Sequence, residues 1–456
     1  TEGEVTPPLD DTLIYFQFAK NLAEGSLFSW LPGGAYSTGA TSFLYVCMLA
    51  AGYFLGAQGP WLYAVAWLLG LVFFSGAIWC MGRWIERSLG ILPAIGGILA
   101  ATTSGLVLWS VHSGMDGMLL FFSLVLAAEG VRRLRTRQPV SISGLTLYFA
   151  LLPLVRPEAA ALGCLLALWG IIGCRNHGLR APVMLLVSCI AMILVVAGLN
   201  FFLTGTTASN GVITKSWMTD PTLTFFEQLG KVWGEAIVFG GRFIWPEHAP
   251  ERALIIPLFL LGAWRLVRAD RENWVLPLIV VFGLVLTFQS SYANVHRNRY
   301  QAPFLALALI MGGAGLVHFV MSIAVRRFRN IRVIGFGVIA LVALSGFRDT
   351  NAWAWRFALD ARDIVRHPVA MGHKIGTRIP QDAVVAVHDA GAMPYYSEHP
   401  RFLDLVGLGT NGMGRWYRNG PGTLFERLES LPSDEKPSYY AIYTDWFEDV
   451  DILGEV

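Results

Sequence analysis

Runs of apolar residues dominate this chain, and polar or charged positions fall between them in a regular order. Stretches of bilayer-spanning or near-spanning length, about 15–23 residues each, lie at 41–57, 61–82, 89–109, 115–131, 142–155, 159–174, 181–203, 252–267, 274–289, 301–323 and 331–346. Each is expected to be a helix, because a backbone in hydrocarbon must satisfy its own hydrogen bonds. Residues 142–174 look like one long helix, but Arg156-Pro157-Glu158 interrupts them. Two charges with a proline do not belong at mid-bilayer. After about residue 348 the pattern changes: Asp382–His388 and Tyr439–Tyr443 read as buried strands, and the Gly- and Asn-rich run Gly407–Gly422 as loop. The expected fold is an all-α polytopic membrane domain over 1–347, with outer loops 1–40 and 204–251, then a small soluble α/β domain over 348–456.

Composition sharpens this picture. Of 456 residues, 54% are hydrophobic and 14% charged, against roughly 25% charged in a soluble domain. A net charge of +2 gives no sign of a nucleic-acid partner, yet 16 of the 32 acidic residues follow Gly346. Cys47, Cys80, Cys164, Cys174 and Cys189 all fall in apolar stretches without metal-ligand spacing and read as small buried hydrophobes. The basic connectors are Arg83/Arg87, Arg132–Arg137, Arg175/Arg180, Arg265/Arg268/Arg271 and Arg326-Arg327 through Arg332. The positive-inside rule places them in the cytoplasm, and the stretches supply two crossings between successive members. His112–Met115, Arg156–Glu158, Thr204–Glu251, Gln289–Gln301 and the tail from Arg348 then share the outer face. Three stretches separate Asp10-Asp11 from His112–Met115, so parity requires that one not cross, and 41–57 is expected to be re-entrant. Thr1–Leu9 is polar and Pro-containing, and an initial membrane helix is expected to have been cleaved or to precede it.

Five outer clusters carry candidate chemistry. Asp10-Asp11 opens a segment in which Leu13, Phe16, Ala19/Lys20 and Ala23 follow helical spacing, expected as an amphipathic helix at the interface. One acid would suffice as a helix cap, whereas two in a row suit a general base with a supporting neighbour. Asp116, in His112-Ser-Gly-Met-Asp116-Gly117, is a helix cap or a pocket acid. Arg156 and Glu158 form an internal pair or line a polar cavity. Residues 222–240, within the long loop, are expected to lie on the surface, and Asn210 and Lys215 stand near its start, Lys215 as a phosphate contact or a solvated lysine. His296, Arg297 and Arg299 bring basic groups to the outer side, where forked guanidinium donors suit phosphate, and lipid headgroup contact is the alternative. No P-loop, dinucleotide fingerprint, metalloprotease motif or nucleophile elbow occurs in a supporting context.

Asp10-Asp11 and its helix, followed by Tyr36-Ser-Thr-Gly-Ala-Thr-Ser42, resemble the first outer loop of GT-C-type glycosyltransferases. The resemblance is greatest to the branch containing the mycobacterial terminal arabinofuranosyltransferases. Ser113-Gly-Met-Asp116 resembles that branch's Ser-Gly-Leu/Met-Glu turn with Asp for Glu, and Arg156-Pro-Glu158 its Arg-Pro-Glu. Asn210 and Lys215 resemble a Pro-Asn-Thr-x-x-x-Lys element in which Ser209 stands for the proline. His388-Asp389-Ala-Gly391-Ala-Met-Pro-Tyr395 and Phe402-Leu-Asp404-Leu-Val-Gly407-Leu are similar to its tail motifs, which puts His388 and Asp389 near the site.

The resemblance implies a polyprenyl-phosphate sugar donor, a glycan acceptor, inverting transfer and a first-loop aspartate as base, on the outer face of a bacterial inner membrane. Asp10 is the expected base and Asp11 its orienting partner. Lys215, His296, Arg297 and Arg299 are expected at the phosphate, with Asp116, Arg156, Glu158 and Asn210 lining the donor and acceptor pocket. No cofactor is expected to be required, although Asp10, Asp11 and Asp116 are candidate ligands of a divalent ion. Trp416, Tyr417 and Trp446 are candidates for stacking on an acceptor glycan or on their own core. A lipid-linked sugar transporter or flippase is the main alternative, since polar notches between helices also suit a permeation path. A non-catalytic sugar-binding assembly factor is the third reading.

Overall fold

A computed structural model describes residues 5–174, 178–244, 253–324 and 331–443. Arg175, Arg326, Arg327, Trp446 and the 245–251 end of the long loop lie outside the described residues. Each of the eleven apolar stretches contains a helix, because only intrasegment hydrogen bonding lets such sequences bury their backbone in lipid. Pro60–Leu89, Arg180–Thr204, Ala302–Ala324 and the run Arg332–Arg378 are each long and apolar enough to cross a membrane. The protein is a multi-pass membrane protein. Phe43–Phe54, within the stretch expected not to cross, has 12 residues, or roughly 18 Å of helix against a hydrocarbon core of about 30 Å.

The break at Arg156-Pro157 falls where the sequence puts it. Arg156 is extended (φ −166°, ψ 157°), ending Ile142–Val155 and starting Pro157–Gly173 with the proline in its first turn. Other expectations are corrected. Residues 89–109 form two helices, Ile91–Thr102 and Gly105–His112, bent by 64°. There Thr102 and Thr103 bond back to the carbonyls of Ile98 and Leu99, and the Asp349 carboxylate takes the Gly105 N–H at 2.8 Å. The stretch read as 331–346 continues as helix to Ile364, since no proline occurs before Pro368, which sits in a π-helical turn, Val365–Val369. Within Gly407–Gly422, expected as loop, Met413–Arg418 is helical. Cys47 is exposed, whereas Cys174 and Cys189 are buried as expected.

Two compact units divide the chain. The second, Leu68–Leu194 with Trp233–Arg356, is helical, and small residues let its helices approach closely. A Cβ on Gly97 would strike the Ile310 carbonyl, and one on Gly262 the Met311 carbonyl. The first unit joins Thr1–Trp67, Val195–Val232 and the chain from Phe357. Three short strands, β1 (Val385–Val387), β2 (Phe402–Asp404) and β3 (Tyr439–Ala441), form a parallel sheet in the order β2-β1-β3. Val384, Ala386, Leu403, Leu405, Met413 and Leu424 pack beneath it. The helix Asp10–Ala23 is buried from Thr12 through Ala19, with Gln17 and Asn21 included. It is enclosed by protein, a correction to the expected interfacial helix.

Candidate functional site

Asp10 and Asp11 form the first turn of a buried helix, with Leu9 extended ahead of them. An acid there suits the helix dipole, but neither side chain serves that helix alone. The Asp10 carboxylate accepts the backbone N–H of Gly391 at 2.9 Å and of Ala392 at 2.6 Å, one on each oxygen. It thus anchors the loop that follows β1. Asp11 pairs with Lys215 at 3.2 Å, both side chains mostly buried. Lys215 ends the short helix Asn210–Lys215.

Loops from three parts of the chain interlock around these acids. Trp30 Nε1 donates to the Ala390 carbonyl at 2.9 Å, and the Ser37 hydroxyl to the Gly409 carbonyl at 2.7 Å. Asn210 donates through its amide to the Leu408 carbonyl (3.0 Å) and the Asn411 side chain (2.9 Å), and its N–H goes to Thr38 at 2.8 Å. Asp404, at the end of β2, gathers the N–H groups of Val406, Gly407 and Gly409 at 2.6–3.1 Å. His388 and Asp389 extend β1 at the carboxyl edge of the parallel sheet, where α/β folds place their ligands. His388 Nε2 lies 3.5 Å from the Asp389 carboxylate, and its ring meets Tyr443 edge-on at 4.7 Å.

Crowding of acids sets the electrostatics. Burial foremost, then the charges of Asp10, Asp11 and Asp404, push Asp389 up to about 8, with Lys215 opposing. Burial pushes Asp10 up to about 7 against the lowering effect of the Ala392 and Gly391 N–H groups, and the Asp11 charge adds to the rise. Asp404 rises to about 6 through burial, against four backbone donors. Burial drops His388 to about 4, so it is neutral at physiological pH. Near pH 7 Asp389 therefore stays mostly protonated while Asp10 is about half ionised, in a shared titration, because adjacent buried carboxylates resist ionising together.

Among the described residues, no three His, Cys, Asp or Glu side chains converge with metal-holding geometry. Asp116, named with Asp10 and Asp11 as a candidate ligand, belongs to the second unit. There the Arg156 guanidinium donates to Asp116 at 2.8 Å and to both oxygens of Glu158 at 3.1 Å. Arg156 and Arg299 both lie over the Tyr300 ring, at 5.6 and 4.8 Å, and Arg299 donates to the Tyr300 hydroxyl at 2.9 Å. His296, Arg297 and Asn298 are three successive left-handed residues (φ 51°, 60° and 58°), a conformation uncommon outside glycine. His296 stacks on Tyr292, Arg297 is exposed and Arg299 is buried.

The proposed residues thus gather in two clusters. Asp10, Asp11, Asn210, Lys215, His388 and Asp389 fall in the first unit; Asp116, Arg156, Glu158, His296, Arg297 and Arg299 fall in the second. Trp30, Asn411 and Arg418 escape sequence reading altogether. Asp404 is visible there only as part of a tail motif. Arg418 donates to the carbonyls of Thr214 and Ser216 and to Asp220 at 2.6–2.9 Å, fixing the Lys215 segment.

Residues 357–454 match a family described as a domain of unknown function (DUF8728). No curated protein matches the chain. Among solved structures, ArnT from Cupriavidus metallidurans bound to undecaprenyl phosphate is 14% identical with a TM-score of 0.54, over 98% of this chain and 87% of that one. The apo oligosaccharyltransferase of Archaeoglobus fulgidus is 13% identical with a TM-score of 0.54, over 95% of this chain and 64% of the other. These likenesses extend over nearly the whole chain and rest on backbone path, since identity is low. The chain has the fold of the GT-C membrane glycosyltransferases, a helical membrane region with a small C-terminal α/β domain.

Proposed function

We propose that the protein is an inverting glycosyltransferase that moves a sugar from a polyprenyl-phosphate carrier to a hydroxyl of a cell-envelope glycan. The observation that carries the reading is Asp10: a first-loop carboxylate raised to about 7, with each oxygen oriented by a backbone N–H. A base of that pKa has the right proton affinity for work at neutral pH. Asp10 takes the acceptor hydroxyl proton as that oxygen attacks the anomeric carbon. The bond from that carbon to the phosphate oxygen breaks, the carrier phosphate leaves with the electron pair, and Asp10 keeps the proton. A single displacement needs one base and no enzyme nucleophile. Asp11 and Lys215 hold the local charge arrangement.

In the second unit, His296, Arg297 and Arg299 are the proposed phosphate ligands, and Asp116, Arg156 and Glu158 form the polar cluster that orients Arg156. Of the two solved relatives, ArnT is described bound to undecaprenyl phosphate, which supports a donor of that chemistry. The arabinofuranosyltransferase-like assignment rests on the loop and tail motifs alone. The distribution of arginines supports a site on the outer face of the membrane, and the bacterial inner membrane rests on the sequence resemblance alone. Turnover of radiolabelled polyprenyl-phosphate sugar by purified full-length Asp10→Asn tests the base directly. A loss of about 10²–10⁴-fold is expected, and wild-type turnover overturns the assignment.

A further inference from the structure

The loop after Thr204 and the helix Met413–Arg418 border an open cavity of about 360 Å³ within the first unit. Its polar lining is Thr206, Thr207, Thr219, Arg415, Arg418 and Asn419. Ala208, Ile213 and Pro221 add small apolar patches. One wall is fixed in advance. Arg418 is held by two carbonyls and by Asp220 at 2.6 Å, and lies 5.7 Å from the Trp217 ring. Asp220 offsets the charge of Arg418, so the cavity is no trap for a polyanion.

What remains to serve a ligand is a mixed set of donors and acceptors. Among the described residues, the exposed Arg415 guanidinium and Thr207 hydroxyl have no hydrogen-bond partner. The Thr219 hydroxyl spends its proton on backbone carbonyls, the shortest to Ser216 at 2.9 Å, which leaves its lone pairs to accept. The Asn419 amide donates to the Arg415 carbonyl at 2.8 Å, which leaves its own oxygen as an acceptor. A forked cationic donor, hydroxyl acceptors and small apolar patches match a sugar, whose hydroxyls both donate and accept and whose C–H faces are apolar.

Position gives this cavity its role. Ile213 lines it, while Lys215, two residues further along the same helix, holds Asp11 at 3.2 Å. At 3.6 residues per turn those side chains point to opposite sides of a helix roughly 10–12 Å across, about the length of two linked sugar rings. We infer that the cavity is an acceptor subsite: it binds an inner sugar of the glycan whose terminal hydroxyl is presented to Asp10 and Asp11. This assignment rests on the transferase reading above, and binding alone tests it separately.

Purified full-length protein in detergent is titrated, by fluorescence polarisation, with labelled arabinofuranosyl, galactofuranosyl, mannosyl and glucosyl oligosaccharides of four to six units. At least one is expected to bind, and Arg415→Ala with Thr207→Val to weaken that binding by ~10-fold or more, the scale of one lost charge-assisted hydrogen bond. Arg415→Lys restores part of it. In transfer assays Arg415→Ala raises KM for that oligosaccharide with little change in kcat. If none of the four binds the wild type, or the double variant binds equally well, the subsite is overturned. Binding that persists without any transfer supports the subsite and sinks the transferase reading, whereas transfer that is indifferent to Arg415 and Thr207 sinks the subsite alone.

Discussion

An acid enclosed by protein and surrounded by other acids keeps its proton to higher pH, and the Asp10 neighbourhood takes its chemistry from that. If Asp10 is the base, kcat/KM climbs as pH rises through about 7, when the carboxylate ionises. Initial rates between pH 5.5 and 8.5 decide this, and a flat profile rules Asp10 out. The Lys215 charge lowers the pKa of Asp389, so Lys215→Met is expected to hold the Asp389 proton to still higher pH. Stability carries the same information with a definite sign. Asp10, Asp389 and Asp404 have folded pKa values of about 7, 8 and 6, above the roughly 3.9 of an unfolded aspartate. Between about pH 4 and 8 the folded state therefore binds more protons, and stability falls as pH rises. Melting of the detergent-solubilised protein is expected at higher temperature at pH 5 than at pH 8, and Asp389→Asn should narrow that gap. The paired acids stand out in the sequence because nothing apolar separates them. What does not is that Asp10 meets Gly391 and Ala392, 381 and 382 positions away; local pattern carries no trace of such a pairing.

At the scale of elements, the Asp10–Ala23 helix and the loop after β1 hold each other, with little tolerance at Gly391. A Cβ there would collide with the Asp10 carbonyl and come within 2.7 Å of its carboxylate. Gly391→Ala is expected to cut transfer by ~10-fold or more while costing about 1–3 kcal/mol of stability, the usual scale of overpacking. Activity and melting of the purified variant check both, and unchanged transfer would mean that this contact does not position the base. Periodicity and breakers identified most elements, including the break at Arg156-Pro157, where proline and charge announce it. The bend between Ile91–Thr102 and Gly105–His112 gave no such notice. Its causes are threonine hydroxyls bonding backward and a carboxylate 244 residues away, all neutral to hydropathy. The helix Met413–Arg418 was hidden for the opposite reason: glycines around it read as loop, although Met413 anchors it in the core beneath the sheet.

Across the whole molecule, hydropathy identified the helices because it measures what lipid measures, namely the cost of placing each residue in hydrocarbon. It misplaced Asp10–Ala23 at the interface, because long-range contacts bury that helix; the Asn21 amide, for example, donates to the carbonyls of Ser29 and Trp30 at 3.0 and 2.9 Å. Orientation is testable at exposed positions. With basic connectors in the cytoplasm, Pro139→Cys should react with an impermeant maleimide only after the cells are opened, and Glu435→Cys in intact spheroplasts. The reverse pattern overturns the proposed sidedness. The bond between Asp10 and the Gly391 loop also bears on how the protein is made. The carboxylate leaves the ribosome hundreds of residues before the amides that orient it, so, if Asp10 is the base, a nascent chain already inserted in the membrane has no finished reaction centre. On the transferase reading, incomplete copies then consume no donor lipid, and a chain ending before Gly391 is expected to be inserted but inert.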